Sequence, residues 1–313
     1  MAAIIQPEVI DVTSWPIDPE HATYPEGARE KRAIFPPDSL PFPFLKPGRR
    51  YLFKLSDDRY PEQFWAEIVA YHVGDMLGVS VPPAYAAYDG QKGDCGAIIE
   101  WFFVDGEHVF VAGGNFLQRL MPEYDRKRGT HHSWFLINRV CRRLSKSNVL
   151  QADWQRYWGR VLVFDVLIGN TDRHQDNWGF LIAQAPAEHP VTLCPAFDNG
   201  TSLGMERHLE HVRAWDDARV ETFIGKGNHH MKWQSDDGKR GNHFGLLAQW
   251  LEAHPAERGH LSDMLNGFSL TELEATLNAL SGLALPVPLL RERISFIMRL
   301  TTVRYNRLRA LLA

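Results

Sequence analysis

The sequence predicts an α+β protein of two lobes, a small β-rich lobe with one main helix followed by a larger, mostly helical lobe. Three observations predict it. The chain has 313 residues, more than a single hydrophobic core usually organises, so one bilobal domain or two smaller ones is expected. As far as about residue 103 the apolar pattern is that of short strands around one helix; beyond Asp105 it changes to long helical periodicities. Finally, 44% hydrophobic and 23% charged residues are ordinary for a packed globular chain, which excludes global disorder. The expected lobes are 1–103 and 104–313.

From Tyr24 to Arg50 the chain is crowded with Pro, Gly and charges and reads as loops linking short strands. Arg50 to Leu55, RYLFKL, is an apolar run with one embedded lysine and predicts a buried strand. Pro61 then opens a helix. Phe64, Trp65, Ile68, Val69, His72 and Met76 recur at three- and four-residue steps as far as Leu77, which predicts an amphipathic helix ended by Gly78. Strands are expected over Val79–Tyr88 and Ala97–Val104. Helices follow over Trp154–Leu167, Phe244–Glu252, Ser269–Leu280 and about Leu289–Leu312, with Ser269 and Glu272 at capping-box spacing. Between the first two helices lies a strand, turn and strand, Gly179–Ile182 and Val191–Cys194. The basic run within Arg119–Lys146, which includes Arg126, Arg139, Arg142, Arg143 and Lys146, reads as a solvated helical face.

Several function classes are disfavoured by composition. A formal charge of -4 gives no overall electrostatic reason to bind nucleic acid or an anionic membrane, so neither partner is expected. Cys95, Cys141 and Cys194 are far apart and odd in number, which suggests no disulfide framework or paired-thiolate zinc site and leads to the expectation of a reducing cytoplasm. The start lacks a basic segment followed by an apolar one, and the longest apolar run, Val161–Ile168, is short and broken by Asp165. The pairs His131–His132 and His229–His230 come without a zinc signature, and packing or surface roles are expected for them.

The chemistry concentrates in Gly169–Phe180, GNTDRHQDNWGF, a polar loop directly after an apolar helix. Phosphoryl transfer needs a carboxylate to orient the attacking hydroxyl and oxygen ligands for a cation on the phosphates. Asp172 and Asn177 offer both, five residues apart as in the kinase catalytic loop. Pro195–Gly200 adds Asp198 in a tight turn after an apolar strand, where a second metal ligand belongs. Each residue has a bland reading: Asx residues cap turns, Lys54 could snorkel to solvent, and Glu67 has a neighbour in Glu62 that suits the helix start. Taken together, in kinase order, they fill independent roles of one template.

The DRHQDN stretch of Asp172–Asn177 and the FDNG of Phe197–Gly200 resemble HipA-like bacterial serine/threonine kinases, and phosphoinositide kinases in the same motifs; the resemblance spans most of the chain. Lys54 with the later Trp65-Ala66-Glu67, and Leu77-Gly78-Val79 with Val81-Pro82-Pro83, are similar to the HipA-like pattern. The resemblance implies a protein-kinase-like fold using ATP and Mg2+. It makes Asp172 the catalytic base, Asn177 and Asp198 the magnesium ligands, Lys54 the cation on the ATP phosphates paired with Glu67, and His174 a brace for the loop. Glu26–Lys31 corresponds to the phosphate-covering loop, with Gly27 as its one glycine, no serine, and Arg29 and Lys31 supplying direct charge. Ile99–Phe102 is similar to the hinge, whose backbone at Glu100 and Phe102 would hold adenine. Gly225–His230 falls where substrate-contacting segments lie. The family further implies a toxin of a toxin–antitoxin pair, with an antitoxin partner and a protein substrate from the translation machinery such as an aminoacyl-tRNA synthetase. Because the chain begins close to the phosphate loop, the additional N-terminal subdomain of full-length HipA is expected to be lacking. Two other readings stay open: a phosphoinositide or small-molecule kinase, and a nucleotide-binding pseudokinase acting as a regulatory module.

Overall fold

The computed structural model describes residues 3–20, 30–40 and 42–313. Its first lobe is built on a five-stranded sheet of β1 (Ile10–Asp11), β2 (Lys31–Ile34), β3 (Tyr51–Leu55), β4 (Ala84–Asp89) and β5 (Asp94–Glu100), arranged β1-β4-β5-β3-β2. The β1–β4 pair is parallel and the other three pairs are antiparallel. Alternation along the strands divides the residues between two faces. Tyr85, Ala87, Phe53 and Ile98 pack on one side with Trp15, Phe42 and Leu45 from the loops. On the other side Ala84, Ala86 and Ala97 present small side chains. They let a helix lie close.

That helix is α1 (Phe64–Met76). The spacing predicts one apolar stripe, but Phe64, Trp65, Ile68, Val69, Ala70, His72 and Val73 bury it on nearly every side. The reason is its position, with the sheet on one flank and the helices of the second lobe on the other; a helix apolar all round is a buried helix. It ends at Leu77, followed by Gly78 at φ 61. The next strand begins at Ala84 rather than Val79, because Pro82 and Pro83 have no N–H for a ladder.

The second lobe opens with β6 (His108–Ala112), which pairs antiparallel with β7 (Gly179–Ala183), itself paired with β8 (Val191–Leu193). Around this small sheet pack α2 (Gly113–Leu120), α3 (Trp134–Lys146), α4 (Trp154–Ile168), α5 (Leu209–Val212), α6 (Asp217–Lys226), α7 (His243–Ala253), α8 (Arg258–Asn266), α9 (Leu270–Leu280) and α10 (Arg291–Leu312). Side-chain oxygens of Ser133, Asp216, Asn242 and Ser269 accept the first N–H groups of α3, α6, α7 and α9. In α3, Arg139, Arg142, Arg143 and Lys146 are exposed, opposite a buried face of Trp134, Ile137, Val140 and Cys141. Among the described residues no helix is long and apolar enough to cross a membrane.

Candidate active site

Lys54 projects from β3, the strand between β2 and β5, and is 5% exposed. Its ammonium donates to Glu67 Oε1 at 2.5 Å and to Asp198 Oδ1 at 2.5 Å. The other oxygen of Glu67 accepts the Asn199 N–H at 2.9 Å. One carboxylate on α1 thereby joins the strand lysine of the first lobe to the Asp198 turn of the second. Glu62, its sequence competitor, instead accepts from Arg293 of α10 at 2.5 Å. Asp198 has φ 56, a left-handed conformation that non-glycine residues adopt at some cost and keep where their surroundings enforce it.

The loop after α4 is pinned by its own polar side chains. Gly169 caps α4 at φ 67, and a Cβ there would collide with the Arg304 guanidinium. Asn170 Oδ1 accepts the Asp172 N–H at 2.9 Å, and Asn177 Nδ2 donates to the Asp172 carbonyl at 2.8 Å. His174 Nδ1 accepts the Asp176 N–H at 3.1 Å. With Nδ2 of Asn177 engaged, its Oδ1 is the end left to act as a ligand.

Beneath the loop lies a buried hub that sequence reasoning missed. Arg173, 1% exposed, donates to both oxygens of Asp165 at 3.1 and 2.8 Å, to Asn199 Oδ1 at 2.7 Å, to Asn177 O at 3.2 Å and to Phe197 O. His229 Nε2 also meets Asp165 at 3.1 Å. Burial alone would push the Asp165 carboxyl up, yet Arg173 and His229 hold it down to about 2. The guanidinium therefore ties the Asp172 loop to the Asp198 turn. Asp165 had a visible signal, as the polar break in the apolar run Val161–Ile168.

Two joined cavities occupy the space between the lobes. One, of about 330 Å³, is mainly apolar, with Ile99, Phe102, Phe110 and Phe197 in its wall together with Glu100; Phe102 stacks on Phe197 with centroids 5.0 Å apart. The other, of about 390 Å³, is polar and brings Asp172, His174 and Asp198 together. Lys31, Lys54 and Asp198 line both. Lys31 is the first residue of β2, directly across from Lys54, and not part of a loop as its sequence context suggests. Gly27 and Arg29 lie outside the described residues. At the end of β5, the Glu100 N–H donates to Pro83 O at 2.8 Å while its carboxylate holds Lys46 and Arg49 at 2.7 and 3.2 Å.

A family model described as the HipA-like C-terminal domain matches residues 24–266. The chain belongs to this family. A search of curated protein sequences gives no significant match. Among solved structures, the Helicobacter pylori proinflammatory kinase CtkA aligns with a TM-score of 0.73 at 17% identity, covering 97% of this chain and 96% of that one. HipA of Shewanella oneidensis MR-1, solved with HipB and operator DNA, aligns with a TM-score of 0.51 at 13% identity, covering 95% of this chain and 67% of that one. The HipA-like chain thus has the α+β, kinase-like fold that its motifs predict.

Among the described residues no set of three or more His, Cys, Asp or Glu side chains could enclose a metal ion. A carboxylate at Asp198 and a carboxamide oxygen at Asn177 are a sparse, hard donor set. Such a set fits magnesium, which takes one or two protein oxygens and completes its shell with phosphates and water. It does not fit zinc.

Proposed function

We propose that this HipA-like chain is an ATP- and magnesium-dependent phosphotransferase acting on a serine or threonine hydroxyl of a protein. The observation that carries the reading is the Lys54 ammonium held 2.5 Å from both Glu67 and Asp198, at the seam between an apolar cavity and the polar one that Asp172 lines. Adenine occupies the apolar cavity against the backbone of Glu100 and Phe102. Lys54 and Lys31, opposite each other on neighbouring strands, meet the phosphates.

Asn177 and Asp198 would hold magnesium, whose charge, when bound, neutralises the phosphate oxygens. Asp172 accepts the proton of the attacking hydroxyl, Glu67 orients Lys54, and His174 braces the loop. Positioning and electrostatics supply the rate enhancement. The lobes divide at about residues 103 and 104, so the nucleotide enters between them. Shewanella HipA is a component of a toxin–antitoxin system and was solved with HipB; by that analogy this chain is a toxin with an antitoxin partner, working in the cytoplasm on a component of translation such as an aminoacyl-tRNA synthetase.

The test is incubation with labelled ATP and Mg2+ in the presence of lysate proteins or phosphoinositide vesicles, for wild type and Asp198→Ala. Label on protein serine or threonine with wild type alone supports the reading. Label on lipid alone would replace it with a phosphoinositide kinase, and nucleotide binding without any transfer would replace it with a pseudokinase.

A further inference from the structure

A third cavity, of about 530 Å³, lies beside the catalytic loop in the second lobe. It adjoins the Asp172 cavity, since Thr201 and Glu206 line both. Its wall also includes Thr171, next to Asp172, and Lys226 at the end of α6, within the Gly225–His230 segment singled out by sequence. Arg207, Arg219, Lys226, Arg240 and Arg304 face it, against one carboxylate, Glu206. In a chain of formal charge -4 this is a local concentration of positive charge, of the kind that focuses an anionic partner into a cleft.

Arg304 indicates that the charge is built in. It is 5% exposed, and among the described residues its guanidinium has one hydrogen-bond contact, a long one of 3.5 Å to Ile168 O. Burial lowers it to about 10, with no carboxylate acting against the shift. A buried cation without a counter-charge is costly, and an anion seated in the cavity would offset the cost. Arg219 stacks over Trp215 at 5.4 Å and Arg207 over Phe223 at 5.2 Å. Stacking holds these guanidiniums by their faces and leaves their edges for carboxylates. Trp215 is packed further, edge-on, by Phe296 at 5.6 Å. The aromatic surface is thus engaged within the protein, which disfavours the base stacking that single-stranded nucleic acid uses.

Resting on the phosphotransfer reading above, we infer that this cavity docks an acidic segment of the protein acceptor, seating Asp or Glu side chains that flank the hydroxyl delivered to Asp172. Its volume suits a few side chains. The cavity selects the acceptor while the loop performs the chemistry.

The experiment is fluorescence anisotropy on the full chain without nucleotide, using labelled peptides with a central serine flanked by Asp and Glu, by Ala and Gly, or by Lys. The acidic peptide binds at least tenfold tighter than the neutral one at low salt, and the difference shrinks as salt rises. Reversal of two exposed charges on α6, Arg219→Glu with Lys226→Glu, abolishes the preference, whereas Asp172→Ala keeps it. Should that double variant not fold, Arg207→Glu gives the same readout. Equal or tighter binding of the neutral or basic peptide overturns the inference, as does a preference that survives charge reversal. A single-stranded oligonucleotide that outcompetes the acidic peptide also overturns it. Adding ATP, Mg2+ and lysate protein separates the two readings: an acidic peptide that binds by these criteria while neither it nor any lysate protein gains phosphate leaves the cavity's binding of an acidic segment standing and removes the phosphotransfer reading.

Discussion

Lys54 and Glu67 are paired in sequence by their resemblance to the HipA-like pattern, and their side chains meet at 2.5 Å. The choice of Glu67 over Glu62 follows in the structure from their partners, Lys54 for the former and Arg293 for the latter. In a steady-state phosphotransfer assay, Glu67→Gln lowers turnover at least tenfold and Glu62→Gln leaves it within about twofold, the sizes expected of a positioning contact and a remote strut. Arg173 was not legible, because the acceptors that define it come from Asp165, Asn177, Phe197 and Asn199, on separate segments. Removing it strands a buried carboxylate, so Arg173→Met destabilises the fold by about 3–5 kcal/mol, measured by urea unfolding. A loss below about 1 kcal/mol would show that the hub is not held by charge.

Helix α1 and the Gly169 turn show where periodicity suffices and where it does not. The three- and four-residue steps located α1, but its burial on both flanks depends on the second lobe, which no local window contains. At Gly169 two demands meet, a left-handed backbone and the close approach of Arg304. Gly169→Ala accordingly costs about 2 kcal/mol or more, read as a lower Tm, and slows transfer because the turn sets the loop. Histidines on α1 and α7 make stability depend on pH. Burial lowers His72 and His243 to about 4 each, against an ordinary 6.5. Above pH 6.5 neither the folded nor the unfolded chain protonates them. Between 6.5 and 4 the unfolded chain takes up protons that the folded one refuses, so stability falls as pH falls, by about 2 kcal/mol for each histidine at pH 5. Urea midpoints at pH 7.5 and 5 check this, and an unchanged midpoint would contradict it.

Helix α1 and the turn that leads into it supply several of the contacts between the two lobes. Glu67 holds Asn199 at 2.9 Å, Glu62 holds Arg293 at 2.5 Å, and Trp65 Nε1 donates to Val287 O at 3.1 Å. A sheet lobe followed by a helical lobe was readable because the apolar period changes near residue 104. The pairing of β6 with β7 was not, since it joins His108 to Ala183 across α2, α3 and α4, and neither was the third cavity, which α6, α7, α10 and the loops around them assemble. The most direct measurement is of Asp172→Ala beside wild type, with ATP affinity by calorimetry and phosphate transfer followed in parallel. The variant is expected to keep wild-type affinity with transfer reduced about 10²- to 10⁴-fold. Wild-type transfer by the variant would contradict it.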